Sequence, residues 1–94
     1  ALEALRDAVK LNPRHPRAGY NLGLLLSEMG RLEDAVSALK SASAAIPQDP
    51  SIPYALATIL LRLGKQAEAR AAVDQALKAD PTHVDSLQLK ARLR

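Results

Sequence analysis

Residues 29–47 read MGRLEDAVSALKSASAAIP, and residues 63–81 read LGKQAEARAAVDQALKADP. The two stretches share a Gly in second place (Gly30, Gly64), two Ala seven residues apart (Ala35 and Ala42, Ala69 and Ala76) and a closing Pro (Pro47, Pro81). The same step runs outside them. Pro13, Pro47 and Pro81 are 34 residues apart, as are Ala1, Ala35 and Ala69, then Ala8, Ala42 and Ala76, and Tyr20 with Tyr54. A fixed period of this length marks a stack of repeated units, each burying its apolar side against its neighbours.

Within a period the apolar residues recur every three or four positions: Leu22, Leu25, Leu26 and Met29, then Leu32, Ala35, Val36, Leu39 and Ala42. That spacing predicts two amphipathic helices per unit. Gly30 and Gly64 fall between them, where a residue without Cβ can take the left-handed conformation that closes a helix. Asn12-Pro13, Ile46-Pro47 and Asp80-Pro81 separate the units, because a residue preceding Pro is pushed out of helical geometry. Pro16 and Pro50 suit the first turn of a helix, where their missing N–H costs nothing. Thr82 with Asp85 three residues on resembles a reduced capping box. The predicted helices span residues 1–11, 16–29, 32–45, 50–63, 66–79 and 84–93, as one domain over 1–94. Its connections are short enough to make sequential helices antiparallel neighbours.

Composition agrees with an all-α chain. Of 94 residues 48% are hydrophobic, almost all Leu and Ala, with two Tyr and neither Phe nor Trp. Thirteen basic and ten acidic residues give a net charge of +3 and are interspersed, which reads as a solvated surface. The absence of Cys rules out disulfides and thiolate metal sites and leaves the redox compartment open. The longest apolar run, residues 54–61 with Thr58 allowed within it, is far short of the roughly 18 residues a membrane span needs. A soluble protein is expected, the cytoplasm being favoured over other compartments. The opening residues ALEALRDAV already follow a helical pattern and read as part of a longer array.

At Leu22-Gly23, Ala35, Ala42 and Pro47, and again at Leu56-Ala57, Ala69, Ala76 and Pro81, the chain resembles the tetratricopeptide repeat (TPR) family. Ala1, Ala8 and Pro13 match the second half of a preceding unit, and Leu87 with Ala91 the start of a following one. The division implied is a second helix over 1–13, whole repeats over 16–47 and 50–81, and a first helix over 84–94. The resemblance implies a superhelix of six antiparallel helices, a TPR solenoid. Gly23 and Ala57 are expected to face Ala35 and Ala69 across their hairpins, small residues letting the helix axes approach. Where the family favours Trp the chain has Gly19, Pro53 and Leu87, and where it favours Tyr or Phe it has Leu26, Leu60, Leu39 and Val73, which makes a lighter core. Gly19 inside a helix costs about 1 kcal/mol relative to Ala, so reduced stability or a neighbour that fills the space is expected.

The family's first helices line a concave groove that binds segments of partner proteins. Here the corresponding stripe is Arg17, Tyr20, Asn21, Leu24, Ser27 and Glu28, then Ser51, Tyr54, Ala55, Thr58, Leu61 and Arg62, then Asp85, Gln88 and Arg92. Helical spacing puts each set on one face. Tyr offers flat apolar area with a hydroxyl, and Asn, Ser, Thr and Arg can satisfy a peptide backbone or carboxylate. The same Tyr20 and Tyr54 can instead pack between repeats, and the Arg residues can be plain surface charges. Asn21 sits where some relatives have part of a carboxylate clamp, but Ser51 and Ala55 stand where its basic residues should be.

The expected function is thus a non-catalytic scaffold for a protein or peptide partner, without cofactor, metal or membrane insertion. His15 and His83 occupy equivalent turns two repeats apart, too far to share a metal or proton. Glu33-Asp34 suits the positive end of a helix dipole, and no glycine-rich phosphate loop is present. One alternative is a structural spacer or self-association module that stacks through exposed end helices; the helix with Leu2, Leu5, Val9 and Leu11 lacks a partner. A third is an RNA-binding helical repeat. Against it stand the 34-residue step, where RNA-reading relatives use 35, the scarcity of aromatics for stacking and the mixed charge; no nucleic-acid partner is expected.

Overall fold

In the computed structural model, residues 18–93 are described. They form five α-helices: α1 (Ala18–Glu28), α2 (Leu32–Ala45), α3 (Ser51–Arg62), α4 (Gln66–Ala79) and α5 (Val84–Arg92). There is no strand among the described residues. The helix expected over 1–11, and the readings of His15, Pro16 and Arg17, lie outside them.

Glycine and proline set the joints as their chemistry requires. Gly30 and Gly64 have φ of 80° and 77°. At the first joint the N–H of Gly30 donates to the Ser27 carbonyl (3.0 Å) and that of Arg31 to Leu26 (2.9 Å). At the second, Gly64 donates to Leu61 (3.0 Å) and Lys65 to Leu60 (2.9 Å). These paired bonds are Schellman motifs, which satisfy carbonyls left over at a helix end. Arg31 and Lys65 then start the next helix, their carbonyls accepting from Ala35 and Ala69. Between hairpins, the pre-proline residues Ile46 and Asp80 leave helical geometry, at φ −129° and −146°. Matching turns follow, with Asp49 donating to Ile46 and His83 to Asp80.

Two local expectations are corrected here. Pro50 precedes the first residue of α3 by one position, with helical dihedrals and its carbonyl bonded to the Tyr54 N–H. Thr82 forms no capping box: its N–H and hydroxyl both donate to Asp80 Oδ1, at 3.0 and 2.8 Å, and His83 precedes α5. The carboxylate of Asp80, one residue nearer, wins over the distant Asp85. Glu33 and Asp34 do fall in the first turn of α2.

α1 pairs with α2 and α3 with α4 as hairpins; α2 then packs on α3, α4 on α5, and α1 touches α3. Hairpins therefore rank side by side instead of wrapping one centre. The core runs along the stack as alternating large and small residues: Leu39, Ile52, Leu60 and Val73 are fully buried, as are Ala35, Ala57, Ala69 and Ala76.

Across the first hairpin Leu39 packs on Gly23. A Cβ built on it would lie 2.6 Å from Leu39 Cγ, so Leu39 occupies the space the glycine leaves. Gly19 leaves no gap either, because Ala42 Cβ would be 3.1 Å from a Cβ there.

Candidate functional site

The stripe predicted for the groove lies on α1, α3 and α5, the first helices of successive units. Asn21, Glu28, Arg62, Asp85, Gln88 and Arg92 are exposed, and Tyr20, Leu24, Ser27, Ser51, Tyr54, Thr58 and Leu61 are half-buried. Ala55 is buried in the core and leaves the stripe. Tyr20, Leu24, Tyr54 and Leu61 pack their apolar bodies against the core, so α1 and α3 each place an apolar base under a polar rim.

Neighbouring first helices are tied across this face. Arg62 donates from Nη1 to Ser27 Oγ at 3.2 Å, joining α3 to α1. The Tyr54 ring meets that of His83 edge-on, with centroids 5.7 Å apart and planes at 69°, joining α3 to the start of α5. His83 Nδ1 shares a 2.6 Å hydrogen bond with Ser86 Oγ, and Ser86 is fully buried. Tyr54 therefore supports inter-repeat packing as well as lining the face. The Thr58 hydroxyl donates 2.7 Å to the Ala55 carbonyl of its own helix, so it is already committed as a donor.

His83 and Ser86 were not among the predicted site residues. Their equivalents one repeat earlier, Asp49 and Ile52, have neither a ring nor a hydroxyl, so the step between adjacent units does not point to this pair. Chemically the face can bury apolar side chains and hydrogen-bond a backbone. Among the described residues no group of three His, Cys, Asp or Glu side chains could hold a metal ion. No helix among them is long and apolar enough to cross a membrane.

With hairpins, joints and face in place, the family model for the tetratricopeptide repeat matches residues 1–52 and 27–93. The chain belongs to the TPR family. A crystal structure of a thermophilic TPR protein from Thermus thermophilus superposes with a TM-score of 0.84 at 33% identity, over 99% of this chain and 47% of that one. YrrB, a TPR protein with an unusual peptide-binding site, gives 0.88 at 25% identity, over 97% and 47%. The Yersinia enterocolitica type III secretion chaperone SycD, in complex with a peptide of the translocator YopD, gives 0.83 at 21% identity, over 98% and 70%, a likeness of fold. This TPR chain thus spans about half the length of the first two structures. A search of curated proteins gave no match.

Proposed function

We propose that these TPR hairpins act as a non-catalytic scaffold that binds a peptide or helical segment of a partner protein across the face of α1, α3 and α5. The observation that carries this reading is the anchoring of Tyr20, Leu24, Tyr54 and Leu61 on the core beneath exposed Asn21, Arg62, Gln88 and Arg92. A partner would find apolar sockets at fixed spacing, ringed by hydrogen-bonding groups. Hydrogen bonds and ring contacts already hold neighbouring first helices, so little ordering cost falls on the scaffold. YrrB, with its peptide-binding site, supports the reading by likeness.

The test places a bulky charge at the centre of the face. Thr58→Arg abolishes capture of partners from extracts of the source cell while leaving the circular dichroism spectrum unchanged. Undiminished capture would move binding elsewhere on the molecule.

A second reading, end-to-end association, is favoured by one observation. Val84 and Leu87 on α5 are 61% and 46% exposed, whereas Pro53, the repeat equivalent of Leu87, is buried. Light scattering separates the two: association would appear as a molar mass that rises with concentration and is restored to monomer by Val84→Glu with Leu87→Glu.

A further inference from the structure

On the side of the stack formed by the second helices, α2 and α4 leave a crevice between them. It has two lobes. One, of about 350 Å³, is floored by Leu56 and Leu60 and walled by Lys40, Glu68 and Ala72. The other, of about 480 Å³, is lined by Pro47, Gln48, Lys78 and Ala79. Gln75 lines both, and its Nε2 donates 2.9 Å to Ser43 Oγ, bridging the two helices where the lobes meet.

Charge distinguishes this crevice from an ordinary seam between repeats. Glu68 is held by Lys65 at 3.9 Å. Among the described residues the remaining side-chain ion pair is Lys90 with Asp74, at 2.9 Å. Lys40 and Lys78 have no such partner there, so each lobe combines an apolar wall with one uncompensated ammonium. The Ser43 to Gln75 bridge ties α2 to α4 between these two lysines. Lys40 stands on α2 and Lys78 on α4.

We propose that this crevice docks an acidic amphipathic helix of a partner protein, one that presents an apolar residue and a carboxylate to each lobe. The site is separate from the face of the first helices. It selects by charge: carboxylates meet Lys40 and Lys78 while the apolar residues cover the lobe walls.

The probe is a synthetic 18-residue helical peptide with Leu and Glu repeated along one face, and a control peptide with Lys for every Glu. Titrated against the full chain by fluorescence anisotropy, the Glu peptide binds saturably and about tenfold or more tightly than the control, an advantage that shrinks with salt. Lys40→Glu with Lys78→Glu reverses the preference. Thr58→Arg on the opposite face leaves it intact, so the outcome is independent of the function proposed above. No saturable binding, equal affinity for the two peptides, or loss on Thr58→Arg overturns the assignment. A single-stranded oligonucleotide that binds as tightly as the Glu peptide, through the same two lysines, also overturns it by making the crevice a general polyanion site.

Discussion

A Cβ on Gly23 would sit 2.6 Å from Leu39 Cγ and 2.7 Å from its Cδ2, so this glycine and this leucine share one side chain's worth of space. The equivalent positions of the next repeat are Ala57 and Val73, both fully buried. One carbon has moved from the second helix to the first, and the total is conserved. Cores tolerate such volume-conserving exchanges and resist overpacking.

Gly23→Ala alone therefore destabilises the chain, since overpacking by about 1–3 kcal/mol outweighs a helix-propensity gain of at most about 1 kcal/mol. Adding Leu39→Val recreates the pair of the next repeat and recovers most of the loss. Urea denaturation measures both. A double variant no more stable than the single one would show that the exchange is not complementary.

Gly30 and Gly64 isolate a backbone effect, because nothing lies within 4 Å of a Cβ on either, while φ is left-handed at both. Gly64→Ala costs about 1–2 kcal/mol from conformation alone. Gly64→Asn costs less, because Asn tolerates that region. Thermal melts of the two variants should rank in that order.

Ala35 is fully buried and packed into the core, whereas Ala44 on the same helix is exposed. Ala35→Leu should lose about 1–3 kcal/mol by overpacking. Ala44→Leu should stay within about 0.5 kcal/mol. Equal effects in chemical denaturation would mean that α2 can rotate or shift to relieve the crowding.

The Thr82 hydroxyl and N–H bonded to Asp80, with nearby His83 adding to them, hold the Asp80 carboxyl below its ordinary value. Its charged form is thus the one the fold favours. The resulting stabilisation is full above the ordinary carboxylate range and disappears as pH falls through the lowered value. Melting temperatures of wild type and Asp80→Asn followed down from neutral pH should converge in acid. A gap that does not depend on pH would show that the turn is held by geometry and not by charge.

The ends of the helices were legible because glycine and proline act locally. Gly30 and Gly64 close helices wherever the rest of the chain lies, and Ile46 and Asp80 leave helical geometry because Pro follows. The stacking of hairpins was legible from the 34-residue step. The step does not say which small residue meets which large one. That depends on how far each helix rotates about its axis, so the contact of Leu39 with Gly23 could not be read from the period. Tyr54 with His83, Arg62 with Ser27 and Ser43 with Gln75 were hidden for a related reason. Each joins different repeats through at least one residue whose 34-residue equivalent is of another type, so the period does not reveal the pair. On the predicted face, Tyr20, Leu24 and Leu61 were legible as an amphipathic row, whereas the burial of Ala55 followed from helix rotation.

Arg31 and Lys65 each finish one helix and begin the next, so the joints inside the hairpins contain no spare residue. The joint between the two complete hairpins does, at exposed Gln48. Affinity tags, grafted loops or new termini made by circular permutation should accordingly be accepted at Gln48 and rejected at Arg31. For an engineer the chain is a row of rigid tiles, to be cut along the proline seams and never across the glycine ones.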